Sequence, residues 1–265
     1  MNFSLGEHWG RKYNDLRNYR TYINFVLKEN IKFNNFKKHL EILHDPDMYV
    51  SNLFIPMKNE VIFDIGSQYG DYALLWEKRH GAVVYAFELL EHNYTEMLSD
   101  LKLNKSKIKP FNIAVGDGKN ISYTVRGDMA LNEYSWNFIK TIRLDDLVFG
   151  KFNVKPNILK IDVEGFEYEV LQGAEEVLKR YSPRIIIETH SRALRTRCHD
   201  FLSERDYLLV DQGRTIINKS GNEITNLFYK CEVVKHSEMR KDHESRQDIM
   251  SYSCTYKTNY GGEKP

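Results

Sequence analysis

Residues 61–70, Val-Ile-Phe-Asp-Ile-Gly-Ser-Gln-Tyr-Gly, constrain the fold more than any other stretch of the chain. An apolar run that breaks at a glycine reads as a buried strand entering a turn. An amphipathic run containing Tyr72, Leu74, Leu75 and Trp76 follows as a helix. A second apolar run, Val83 to Phe87, ends at Glu88, 22 residues after Gly66. Strand, glycine turn, helix, strand and terminal acid together describe a nucleotide-binding βαβ unit. The acid can accept hydrogen bonds from both hydroxyls of a ribose. The glycines allow a backbone approach to a ligand that a Cβ would exclude.

The spacing narrows the nucleotide. Dinucleotide sites use G-x-G-x-x-G, which brings a pyrophosphate to the helix N-terminus. Here the glycines are Gly66 and Gly70, and an acid, Asp64, stands two residues before the first. An aspartate there repels a pyrophosphate and favours a ligand carrying an ammonium and a sulfonium. S-adenosylmethionine is such a ligand, with a ribose and no phosphate.

Beyond Val61 the pattern alternates. Strands are expected at 61–65, 83–88, 108–114, 157–162, 184–189, 206–211 and 225–231, and helices at 70–79, 91–103, 165–180 and 192–204. Such alternation predicts an α/β fold, a mostly parallel sheet covered on both faces. Residues 115–145 interrupt it, and Ile121, Tyr123 and Val125 alternate as in a hairpin insertion. The last two strands flank Asn218-Lys-Ser-Gly-Asn222, a turn-rich link that suits an antiparallel pair at the sheet edge. Helical spacing of Leu16, Tyr19, Ile23, Val26, Phe33, Phe36 and Leu40 predicts an N-terminal helical extension over 11–45. The organisation read from these patterns is an extension at 1–57, a main domain at 58–234 and a polar tail at 235–265.

Composition removes several classes. A net charge of +1, with charges of both signs throughout, gives no strong nucleic-acid signal. Three cysteines without metal or redox spacing suit reduced thiols in the cytoplasm. No apolar run approaches the roughly 20 residues that span a bilayer, and the first residues lack a secretory pattern. Oligomeric state is not legible.

Ligands of open α/β sheets bind at the carboxyl ends of the strands. Those ends carry Asp64, Glu88, Asp117, Asp162, Glu188 and His190, a negative crevice suited to a cationic cofactor. Lys160, inside a core strand, is unusual there and calls for a neighbouring acid. Glu164, Glu167 and Glu169 read as acids that offset the dipole at a helix start. No pair of histidines has metal spacing, so metal-free catalysis is the expectation, although the acid cluster could hold a divalent ion.

Five segments in order, Asp64-Ile-Gly-Ser-Gln-Tyr-Gly70, Ala114-Val-Gly-Asp117, Thr141-Ile-Arg-Leu-Asp-Asp-Leu147, Leu159-Lys-Ile-Asp-Val-Glu-Gly-Phe-Glu167 and Ile186-Ile-Glu-Thr-His190, resemble the FkbM-type S-adenosylmethionine-dependent methyltransferases over about 58–231. The Lys-Ile-Asp-Val-Glu-Gly segment and the Leu-Asp-Asp-Leu element before it are the specific part. Gln68 stands where the family usually has Asn, and Leu89 where it usually has Pro. The resemblance implies a Rossmann-like class I methyltransferase fold with seven strands and O-methyl transfer to a hydroxyl of a sugar, glycan or secondary metabolite. It implies that Asp64, Gly66, Ser67, Gln68 and Gly70 surround the methionine portion of the cofactor. Glu88 would take the ribose, Ala114 and Asp117 would lie near the adenine, and Asp162 would stand at the reacting centre. Asp162, Glu164 and His190 are the candidate bases, histidine having the best-placed pKa. Two other readings stand beside this one: a degenerate cofactor-binding module, supported by Gln68 and Leu89, and an NAD-dependent oxidoreductase, opposed by Asp64 and the missing glycine pattern.

Overall fold

The structure is a computed structural model that describes residues 28–34, 54–126, 134–213, 215–217 and 221–231. In chain order the elements are β1 (Val61–Ile65), α1 (Asp71–His80), β2 (Val83–Phe87), α2 (Glu91–Leu103), β3 (Lys109–Phe111), β4 (Val115–Gly116), β5 (Asn120–Arg126), β6 (Tyr134–Lys140) and β7 (Ile142–Arg143). A π-helical segment (Asp146–Phe152) then leads to β8 (Ile158–Ile161), α3 (Glu167–Gln172), α4 (Glu175–Tyr181), β9 (Arg184–Thr189), α5 (Arg192–Ser203), β10 (Tyr207–Gln212), β11 (Ile216–Ile217) and β12 (Glu223–Cys231).

The main sheet runs β10-β12-β9-β8-β1-β2-β3, with β11 joined to β12. The pairs from β9 to β3 are parallel, and β12 is antiparallel to both neighbours. This is the expected mostly parallel seven-stranded sheet with its last pair reversed. Both faces are apolar, as a doubly covered sheet requires. Ile62, Val84, Ala86, Ile158 and Ile186 pack with Leu74, Trp76, Met97 and Leu101 of α1 and α2. Their alternates Phe63, Phe87, Leu159, Ile161 and Ile187 pack with Val170, Leu171, Val177, Leu178, Cys198 and Leu202 of α3, α4 and α5. The two-residue strand period makes this division. It also puts Asp64, Lys160 and Glu188 on the α1–α2 face, in phase with Ile62, Ile158 and Ile186.

Three expectations are revised. The third strand, read over 108–114, is short, Lys109–Phe111, and β4 leaves the main sheet to pair with β7. The helix read over 165–180 is two helices. Gly173 sits at the break because a Cβ there would meet the Gly116 carbonyl oxygen at 1.8 Å. Across the same contact Asp145 N–H donates to Gly173 O. The insertion does contain a hairpin, β5 antiparallel to β6. The helical reading of 11–45 and the polar tail at 235–265 fall mostly outside the described residues. Within 28–34, however, the helix does not continue: Asn30 has φ 52°, and the N–H groups of Lys32 and Asn34 bond to the side chains of Asn104 and Asp100. Among the described residues no helix is long and apolar enough to cross a membrane.

Candidate active site

The glycine turn is pinned from several sides. Gly66 N–H and Ser67 N–H both donate to Phe87 O, and Gln68 N–H donates to Glu88 Oε2 at 2.9 Å. The Ser67 hydroxyl donates to Asp64 O, and Gly70 N–H to Ser67 O at the start of α1. Gly66 has φ 79°, and an added Cβ would lie 1.7 Å from the Asp162 carbonyl oxygen. The turn therefore needs glycine at 66 because the end of β8 is pressed against it, a protein contact and not only a ligand approach. At Gly70 the corresponding neighbour is the Met97 side chain, 2.9 Å away. Gln68 adopts φ 52°, a left-handed backbone with its side chain at the surface.

Glu88 closes the other side of the turn. Its Oε1 accepts from Leu90 N–H at 2.8 Å and Asn93 Nδ2 at 3.3 Å. Burial raises its pKa, against the opposing effect of the Leu90, Gln68 and Asn93 donors. A carboxylate offers about four acceptor positions, so one remains on Oε2 for a ligand hydroxyl. Leu89 does not disturb this arrangement, because the next residue, Leu90, supplies the backbone donor and caps α2.

Lys160 joins the turn to the acids. It is a Cα partner of Asp64 across the β1–β8 pair. Its Nζ donates to Gly66 O at 2.7 Å and lies 3.3 Å from Asp64 Oδ1 and 3.5 Å from Asp162 Oδ2. Burial opposes its charge, but Asp64, Asp162 and Glu188 outweigh that and hold its pKa above the ordinary lysine range. The neighbouring acid that Lys160 called for is thus Asp64. The same contact changes the reading of Asp64, which is 1% exposed. It lies under the turn against Lys160, and Oδ1, though beside the ammonium, has no hydrogen bond.

At the ends of β8 and β9 four acids surround His190. Its Nδ1 lies 3.0 Å from Glu167 Oε1. Its Nε2 lies 3.6 Å from Asp162 Oδ1, 3.4 Å from Glu164 Oε2 and 3.5 Å from Glu188 Oε1. Burial works against its charge. The bond to Glu167 and the charges of Glu167, Glu164 and Asp162 prevail and raise its pKa to about 9. The acids around it therefore favour the protonated ring over the neutral one.

Glu167 is more than a dipole-compensating acid. It is 0% exposed, and its Oε1 also accepts from Val163 N–H and Gly165 N–H, which folds the loop after β8 around it. Its place five residues after Asp162 and two after Gly165 could have flagged it, had the loop been known to fold back. The specific Leu-Asp-Asp-Leu element is structural. Asp145 Oδ1 accepts from Val177 N–H, the third residue of α4, and Oδ2 pairs with Arg143 at 2.7 Å. Asp117 lies past β4 with its carboxylate paired to Lys119. Ala114 is buried, and its carbonyl accepts from Ile142 N–H.

A model of the methyltransferase FkbM domain matches residues 64–216, more than half of the chain. The chain belongs to the FkbM methyltransferase family. Within 140 residues it is 28% identical to the hexuronic acid methyltransferase AglP of Haloferax volcanii, covering 51% of this chain and 57% of that protein. The chain thus spans just over half the length of this relative. The solved methyltransferase FkbM of Methylobacillus flagellatus KT is 18% identical, with a TM-score of 0.49, over 78% of this chain and 59% of that one. Precorrin-6y C5,15-methyltransferase of Geobacter metallireducens GS-15 is 11% identical, with a TM-score of 0.46, over 66% and 82%. The family's cofactor is S-adenosylmethionine, and the residues present fit it. Asp162, Glu188 and Glu88 gather at the strand ends, as a cationic ligand requires, and Glu88 keeps an acceptor position at the end of β2.

Proposed function

We propose that this chain transfers the methyl group of S-adenosylmethionine to a hydroxyl oxygen of a sugar, with an acidic sugar as the first acceptor to test. The observation that carries this reading is the convergence of four strand ends, those of β1, β2, β8 and β9. Glu88, the turn at 66–70 and the Asp162–His190 pair are tied together through Gln68 N–H and Lys160. Glu88 takes a ribose hydroxyl on the free acceptor position of Oε2. Gly66, Ser67, Gln68 and Gly70 border the methionine portion, and Ala114 and Asp117 border the adenine. Asp64 acts from beneath, through Lys160 and the turn. Family membership supports methyl transfer, and the hexuronic acid methyltransferase relative supports a sugar acceptor.

The cofactor supplies a methyl group made electrophilic by its sulfonium. The protein supplies alignment, which can reach effective molarities on the order of 10⁵ M. Asp162 and His190 stand on the acceptor's side of the site and position its oxygen.

The test is incubation with methyl-labelled S-adenosylmethionine and a panel of uronic acids, neutral sugars and non-sugar alcohols, with products identified by mass spectrometry and alkali treatment. An alkali-stable methyl ether on a sugar is expected. An alkali-labile ester would move the acceptor to a carboxylate. Tight cofactor binding without transfer to any acceptor would favour the non-catalytic module.

A further inference from the structure

The cluster at the ends of β8 and β9 has the composition of a metal site. One ligand atom each from Asp162, Glu188 and His190 lie within 4.8 Å of one another. His190 Nε2 is 3.6 Å from Asp162 Oδ1 and 3.5 Å from Glu188 Oε1. Neighbouring ligand atoms about a cation bound at roughly 2.0–2.5 Å are separated by about this much. The sequence hides the set, because its members come from two strands and are 26 and 28 residues apart. Ile161 pairs with Ile187, so Asp162 and Glu188 follow side by side.

A second observation concerns what surrounds the three. Glu167 is wholly buried, holds His190 Nδ1 through Oε1, and leaves its other oxygen, Oε2, buried without a hydrogen-bond partner. A carboxylate on the far nitrogen of an imidazole orients the near one toward a metal and strengthens it as a ligand. On the other side, Lys160 lies against Asp162 Oδ2 and leaves Oδ1 facing His190.

We propose that Asp162, Glu188 and His190 bind a divalent cation of the Mg²⁺ or Mn²⁺ class, with the exposed Glu164 as an optional fourth ligand. Two carboxylates and one imidazole suit Mn²⁺ best. The site stands independently of methyl transfer. Resting on that reading, its role is to hold the acceptor hydroxyl and lower its pKa. The hydroxyl proton passes to solvent, the oxygen–methyl bond forms as the sulfur–methyl bond breaks, and the electron pair stays on sulfur. This assigns His190 to ligation instead of proton abstraction.

The test uses the purified chain with Mn²⁺ alone, without cofactor or acceptor, so its outcome is separable from that of the methyl-transfer assay. Electron paramagnetic resonance titration should show a single bound Mn²⁺ per chain. Pulsed measurements on the unmutated protein should show nitrogen coupling from one imidazole, a readout that no folding defect can mimic. Glu188→Gln and His190→Gln should each weaken binding by about tenfold or more. Absence of binding at millimolar Mn²⁺ would overturn the proposal. So would binding without imidazole coupling, or binding unchanged in both variants.

Discussion

Lys160 shows how one side chain links fold and site. A buried lysine is tolerated because Asp64 and Asp162 face it and the Gly66 carbonyl accepts a hydrogen bond from its ammonium. Removing one partner of such a pair strands the other charge, at about 3–5 kcal/mol. Lys160→Met should lower stability to urea by about that amount. Combining it with Asp64→Asn should recover at least about 1 kcal/mol of the summed losses. Strict additivity in the double-mutant cycle would show that the two charges do not interact. The sequence disclosed that Lys160 needed an acid. It could not disclose which one, because the choice depends on the β1–β8 register.

At the level of elements, the break between α3 and α4 belongs to tertiary structure. Residues 165–180 have uninterrupted helical spacing, and Val170, Leu171, Ala174, Val177 and Leu178 are all buried on one face. The helix nonetheless stops where Gly173 meets the backbone of Gly116, and Asp145 restarts it by capping Val177 from a distant loop. Loss of a side-chain cap costs about 1–2 kcal/mol. Asp145→Ala should lower unfolding stability by that amount and leave cofactor affinity unchanged. A large loss of affinity would mean that this loop reaches the ligand. The strands were read more accurately than the helix break because their apolar runs are bounded by local signals: Gly66, Gly81 and Pro183.

For the whole molecule, a ligand that binds only the folded chain raises its melting temperature. S-adenosylmethionine at a hundred times its dissociation constant adds about 2.7 kcal/mol. In a domain of this size that is roughly a 5–10 °C rise. The same concentration should shift Glu88→Gln far less, through a lost ribose hydrogen bond, and NAD should shift neither protein. A rise with NAD alone would overturn the cofactor assignment. Local chemistry was enough to determine the alternating architecture, the glycine turn and the acids at the strand ends, because strand period and turn residues act over a few neighbours. Asp162 and His190 were legible for the same reason, each directly following an apolar strand. Only the tertiary structure decided the use of each acid. It buried Asp64 under Lys160, turned Asp145 into a helix cap, gave Glu167 to His190 and brought Glu188 beside Asp162. Those outcomes depend on strand register and on a loop folded back on itself, and both are set by contacts between residues far apart in the chain.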